Sequence, residues 1–415
     1  NLNLLTKTNL SKYSMLNEVE KIFKKWSPAV FLGWSNCNFD DPMIQHEFFR
    51  GLRYPYLTNS SPNKRHDGMK IAQGAYAVNN NIFKTENTAK GNVSMRLESI
   101  ARMNGIKTEG AHSALVDSEL VAKVLSLTKK KQPDTWDSFL QTSSRSDVET
   151  IIKRDKIFTL QETHFGKFYL YLVSPLHPKA CIHEIYRWGI CVDLKIPIEP
   201  FLDLSISDLK IAIKKKKFLK QVQSNKAPII LDESYGKKQE PYSSIDPELL
   251  KKRAELVKSN EKFSRNVLAA LREIAEEKIQ TKTQEDVYAE ETLYSRFSPT
   301  KDTALFPAWH TATWKDKLQM LSKFSDDRLI NFGQKIIFQE SPETLPKDII
   351  KKIQMDIAKR ILSEEEQKWW TCKEFYHECD NLRSKAEDNN DEERLKFLDE
   401  LNAYVMSIQK KYENI

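Results

Sequence analysis

The period of the hydrophobic positions changes several times along the chain. In LNEVEKIFKKW (Leu16 to Trp26), Leu16, Val19, Ile22, Phe23 and Trp26 recur at helical spacing between charged residues, predicting an amphipathic helix. Ser27-Pro28 ends it, because the residue before a proline avoids the helical region. AVFLGW, residues 29 to 34, is a short continuous apolar run and predicts a buried strand of an α/β sheet. In the following Asn38-Phe39-Asp40-Asp41, Asp41 is expected to cap a helix whose first position is Pro42. Asp40 then lies where a strand ends and a helix begins, the edge at which α/β proteins place their chemistry. Helical patterns recur at Gly68 to Ala77, Met95 to Asn104 and Ser113 to Leu127, and Asn104-Gly105 closes the second. The tract KKKQPDTWD (Lys129 to Asp137) reads as a linker leaving this α/β part.

Between about Asp147 and Leu231 the pattern becomes β-rich. FGKFYLYLVSPLHP and WGICVDLKIPIEPFLDL join β-branched and aromatic residues to turn formers, interrupted by helical segments such as Ile206 to Ile213. Pro247 to Val257 is helical again, and from Thr283 onward almost everything is. The expectation is an α/β domain, a mainly β module and a helical end. A chain of 415 residues has the length for two or three domains. Charged residues make up 30% of it and no run approaches the ~18 consecutive apolar residues of a membrane helix. Nothing at its amino end resembles a secretory signal. Five scattered cysteines argue against a disulfide scaffold, so a cytoplasmic protein that contacts no membrane is expected.

Charge sharpens the picture in one region. From Ser205 to Lys262 there are fourteen Lys and Arg against eight Asp and Glu, densest in LKIAIKKKKFLK. That excess suits a polyanion such as nucleic acid, although a lysine run is also an ordinary solvated face.

Chemistry enters with AHSALVD, where His112 and Asp117 are five residues apart. On one continuous helix that spacing leaves the side chains about 140° apart, so they converge only if His112 precedes the first turn. A histidine outside a helix and an acid in its first turn are common for other reasons, the helix dipole among them. In CKEFYHEC (Cys372 to Cys379) a second ligand pair for zinc is missing, and packed cysteines are expected.

Asn36-x-x-Phe39-Asp40, then RLESIARMNGI, then His112-x4-Asp117 resembles the second and third motifs of the DEDDh 3′–5′ exonucleases. FDDPMIQHEFFRGLRYPY, RHDGMKIAQGAYAV, SMRLESIARMNGI, AHSALVDSELVAKV and KKKQPDTWD are similar, in order, to the bacterial exodeoxyribonuclease I family. KAPIILDESYG resembles a segment of that family's SH3-like domain, and EETLYSRFSPTKD the start of its helical carboxyl-terminal domain. The resemblance implies three parts: an α/β ribonuclease-H-like exonuclease domain over residues 1–132, an SH3-like α+β DNA-binding domain over 133–283 and an all-α carboxyl-terminal domain over 284–415. It makes Asp40 and Asp117 ligands of two Mg²⁺ (or Mn²⁺) ions, makes His112 the general base, and places Asn36, Phe39, Tyr56 and Arg96 on the substrate. Gln45, Gln73 and Asn79 fall where better-known members carry arginine.

The implied activity is release of 5′-mononucleotides from single-stranded DNA in repair or recombination. The partners would be the strand and the single-stranded-DNA-binding protein, and the state a monomer. One departure stands out. The family's first motif, Asp-x-Glu on an opening strand, has no match before Asp40, since Glu18 and Glu20 lie in the predicted amphipathic helix. The expectation is a ribonuclease-H-like domain whose first strands are missing, in an amino-terminally truncated and inactive chain. The alternatives are a noncatalytic single-strand-binding accessory protein and an exonuclease directed at RNA.

Overall fold

The structure is a computed structural model and describes residues 7, 8, 10–111, 113–280 and 288–415. Two compact units emerge, one built from residues 25–45 and 56–286, the other from 1–24, 46–55 and 287–415. Helix α1 (Lys12–Trp26) leads into the first unit.

There, strand β1 (Val30–Gly33) is followed by helix α2 (Asp40–Arg50), and strand β2 (Lys64–Asp67) by helix α3 (Gly68–Val78). The two strands pair in parallel, from Val30 opposite Lys64 to Gly33 opposite Asp67. Asp67 ends β2 and caps α3, its carboxylate accepting from the Met69 and Lys70 amides at 3.0 and 3.4 Å. Helices α4 (Leu97–Met103), α5 (Ala114–Lys131) and α6 (Pro133–Leu140) complete this part.

After α7 (Arg145–Arg154) the chain forms an antiparallel five-stranded sheet of β3 (Phe158–His164), β4 (Lys167–Pro175), β5 (Gly189–Asp193), β6 (Leu219–Val222) and β7 (Ile229–Leu231). The spatial order is β6-β5-β4-β3-β7. Helix α8 (Ile206–Lys216) connects β5 to β6, and α9 (Glu233–Lys237), α10 (Pro247–Ser259) and α11 (Glu261–Gln280) follow. The two sides of the sheet belong to different cores. Phe158, Leu160, Val173 and Ile190 pack with α7, α8, α10 and α11 through Ile152, Leu209, Val257 and Phe263. Leu170, Ile229 and Leu231 instead join Ile71, Ile100, Leu120, Val124 and Phe139 of α3 to α6. The residues on either side of Gln132 therefore share a core.

The second unit is helical over its described carboxyl-terminal residues: α12 (Thr300–Thr303), α13 (Phe306–Thr311), α14 (Trp314–Met320), α15 (Asp327–Glu340), α16 (Lys347–Ile361), α17 (Cys372–Asp388) and α18 (Glu392–Tyr412), with short 3₁₀ turns between. Tyr13 and Leu16 of α1 and Phe48, Phe49 and Leu52 are buried here, Phe49 against Phe332 at 5.0 Å between ring centroids. Cys372 and Cys379 are buried in α17.

Three expectations are corrected. β1 is not buried: Val30 and Leu32 are 43% and 39% exposed, and among the described residues only β2 pairs with it. The tract read as a linker is the end of α5 followed by α6, with Pro133 at the first helical turn, where its missing amide costs nothing. In WGICVDLKIPIEPFLDL only Gly189–Asp193 is strand. The part with Pro197 and Pro200 folds into turns and a 3₁₀ segment at Glu199–Phe201, because proline cannot donate to a ladder. No helix among the described residues is long and apolar enough to cross a membrane.

Candidate active site

The turn after β1 is organised by side chains buried beneath it. Asn36 is 5% exposed and satisfies all its polar groups: Oδ1 accepts from the Gly33 amide at 3.1 Å, while Nδ2 donates to Asp41 at 3.1 Å and to the His66 carbonyl at 3.0 Å. Its side chain faces inward and shapes the turn. Asp67 of β2 accepts from the Ser35 amide at 3.0 Å and the Cys37 amide at 3.4 Å, which stabilises Ser35 at its positive φ of 62°.

α2 begins at Asp40, so Asp41 is not its cap. Asp41 points inward instead and pairs with Arg65 of β2 at 3.3 Å, both side chains under a tenth exposed. A buried carboxylate requires such a partner. Burial nonetheless pushes Asp41 up to about 6 against the opposing pull of Arg65. The Arg65 guanidinium also donates to the Asn225 carbonyl at 2.6 Å. Two lysines extend the network: Lys226 donates to the Cys37 carbonyl and Lys70 to that of Lys226. Burial lowers the pKa of Lys70, pushes the His66 imidazole down to about 4 and the Cys37 thiol up to about 11.

Asp40 itself is exposed, and its neighbour Phe39 is 65% exposed. Asp117 occupies the first turn of α5, half-buried, its amide donating to the Ser113 carbonyl at 2.9 Å. The end of β1 and the interior of α5 meet at Gly68. A Cβ there would sit 2.8 Å from the Gly33 carbonyl oxygen and 3.4 Å from both the Trp34 ring and Val121, one turn beyond Asp117. The Trp34 indole donates to the Met95 carbonyl at 3.0 Å, which draws the approach to α4 into the same corner. Arg96 is exposed at the start of α4, and Tyr56 is half-buried. His112 lies outside the described residues. Among the described residues no three His, Cys, Asp or Glu side chains converge closely enough to hold a metal ion. Glu18 and Glu20 are on α1, engaged with Lys21, Lys24 and Arg53.

The sequence reading missed Arg65, Asp67, Lys70 and Lys226. RHDGMKIAQG contains the first three and KAPIILDESYG begins with the fourth, but no local pattern ties segments about 160 residues apart.

A family model for the exonuclease I C-terminal domain matches residues 287–408. Exodeoxyribonuclease I of Buchnera aphidicola subsp. Acyrthosiphon pisum is 24% identical over 276 residues, which cover 63% of this chain and 65% of that protein. The chain is thus similar to exodeoxyribonuclease I proteins, and its carboxyl-terminal part to the exonuclease I C-terminal domain. It spans just under two thirds of that relative's length. The fold matches exonuclease I structures. E. coli exonuclease I in complex with a dA16 oligonucleotide gives a TM-score of 0.74 at 19% identity, covering 96% of this chain and 84% of that one. An exonuclease I/SSB-Ct complex gives 0.72 at 18% identity, with 95% and 84% covered. The likeness to these structures is one of fold.

Proposed function

We propose that this protein is a 3′–5′ exodeoxyribonuclease of the exonuclease I type that acts on single-stranded DNA. The observation that supports the reading is the corner at Gly68, where the end of β1, seven residues before Asp40, lies near Val121 of α5, one turn beyond Asp117, in a fold like that of exonuclease I. Carboxylate oxygens are the donors that hard Mg²⁺ or Mn²⁺ ions take. Two such ions, when bound, would supply stabilisation of the attacking and leaving oxygens in an in-line displacement. Asp40 and Asp117 would hold them. His112 takes the proton of the attacking water, a role suited to a group whose ordinary pKa lies near neutrality. Arg96 meets a phosphate, and Phe39 and Tyr56 lie along the strand. The sheet module corresponds, by this reading, to the family's SH3-like domain and binds the strand as well.

Asp40 and Asp117 are, by this reading, half of the family's carboxylate set; Glu18 and Glu20 lie on α1 and pair with Lys21, Lys24 and Arg53. By this reading the chain alone binds single strands without cutting them. E. coli exonuclease I is the protein solved with dA16, and exonuclease I the one solved with SSB-Ct. We extend both partners to this chain, together with a role in DNA repair or recombination.

The test measures binding of a labelled single strand and its duplex by anisotropy, then release from the 3′ end with Mg²⁺ after a strand-borne Asp-x-Glu segment is supplied by fusion. Single-strand preference with restored release supports the nuclease. Single-strand preference without release points to the noncatalytic accessory protein, and equal affinity for duplex removes both. RNA strands preferred over DNA would redirect the substrate.

A further inference from the structure

The outer end of the five-stranded sheet carries aromatic and basic side chains that the active-site corner does not use. β3 and β4 are joined by a two-residue turn, Phe165-Gly166, both at positive φ (51° and 73°). This is the backbone of a type I′ hairpin, whose first central position ordinarily takes Asn, Asp or Gly. The phenylalanine there is 95% exposed. Tyr169 and Tyr171 follow on one face of β4, their rings stacked with centroids 5.6 Å apart and planes 18° apart. The His164 ring lies 6.1 Å from Tyr169. Tyr171 packs against the core, whereas Tyr169 is 38% exposed and forms the open end of the stack.

Cations surround these rings. The Lys220 ammonium is 3.2 Å from the centroid of Tyr171 and that of Lys195 is 5.4 Å away. Glu162 pairs with Lys220 and is hydrogen-bonded to His164 Nε2 at 2.9 Å, and Asp193 pairs with Lys195. Just before Lys220 the chain carries Lys214 to Lys217 at the end of α8, of which Lys214 pairs with Glu277. An aromatic stack with an exposed outer ring and lysines against its inner one is the combination that holds unstacked bases and their phosphates, because every base has a π-face and every linkage an anion.

We propose that Tyr169, backed by Tyr171 and flanked by Lys220 and Phe165, is a base-stacking stop on the path of single-stranded nucleic acid, separate from the Asp40/Asp117 corner. The inference rests on the single-strand reading above and adds a named contact to it. Lys220 holds the Tyr171 ring from one side, so the stack is ordered before a base arrives, and the exposed face of Tyr169 receives it. The site therefore serves strands long enough to reach it and leaves the shortest ones unaffected.

The experiment compares dT4 and dT16 binding to the 415-residue protein, to Tyr169→Ala and to Tyr169→Trp, with thermal melting to show that all three are folded. A second arm maps photo-crosslinks from a 5-iodo-deoxyuridine oligomer. Expected is a loss of dT16 affinity of about 5- to 50-fold in Y169A, the size of one aromatic–base stack. It should recover in Y169W, with dT4 binding unchanged and a crosslink on Tyr169 or Phe165. If the unaltered protein binds dT16 and Y169A binds it equally, with no crosslink on β3 or β4, this inference is overturned while the single-strand reading stands. If the unaltered protein binds no single strand, that reading falls and this inference with it.

Discussion

His310 makes the helical unit acid-sensitive. It lies in α13 beneath α1, where Nδ1 accepts from the Tyr13 hydroxyl at 2.9 Å and Nε2 donates to the Leu52 carbonyl at 2.9 Å. The Tyr13 ring stacks on it, and the Arg53 guanidinium lies 5.1 Å from that ring. Both nitrogens are satisfied in the neutral form, and a second proton on Nδ1 would break the bond it accepts from the Tyr13 hydroxyl. Burial, then the charge of Arg53, push the imidazole down to about 4. An unfolded histidine titrates near 6.5, so the folded pKa is depressed by roughly 2.5 units. Above 6.5 both states are neutral and the group adds no pH dependence. As pH falls through 6.5 the unfolded state binds the proton first, and stability declines until about pH 4, by ~3 kcal/mol in all. His310→Gln removes the titration and, through lost packing and a weakened hydrogen bond, costs about 1–2 kcal/mol at neutral pH. In urea unfolding the unaltered protein is therefore the more stable at about pH 7.5, and by about pH 4.5 the order reverses. His66, also pushed down by burial, is present in both proteins and cancels in the difference. A gap that stays constant between those two pH values would refute the reasoning.

Arg65→Met leaves Asp41 buried without its cation and should cost about 3–5 kcal/mol in urea unfolding, while R65M/D41N together should recover part of it. Gly68→Val drives a branched side chain into the Gly33 carbonyl and the Trp34 ring, with an expected loss of about 1–3 kcal/mol and a changed Trp34 emission spectrum. Lys226→Met should loosen the turn before Asp40, seen as faster hydrogen exchange at Ser35 to Phe39 with the β3–β4 hairpin unchanged. Asp117→Asn should leave melting temperature and single-strand affinity intact while abolishing the release that an added Asp-x-Glu segment restores.

The sequence was most legible where a local pattern coincided with a local interaction. The apolar spacing of α1, α3 and α5 marks those helices, and the Asn36-x-x-Phe39-Asp40 and His112-x4-Asp117 order points to the family. β2 was invisible because KRHD carries no apolar residue, yet three of its four side chains are buried through polar partners. Asp41 looked like a cap because a strand end followed by acids and proline usually supplies one. Only the three-dimensional placement of Arg65 shows why it turns inward. Lys226 and His310 act on segments 189 and 297 residues away, a distance that no periodicity encodes.

The most direct test of the proposed site uses the 415-residue protein as it stands, with Mg²⁺ and a 3′-labelled single strand. Asp40 and Asp117 as half of a carboxylate set predict that the labelled strand is retained and no mononucleotide is released. Robust release of labelled mononucleotide would contradict that, and would mean that acids already within these residues complete the metal site.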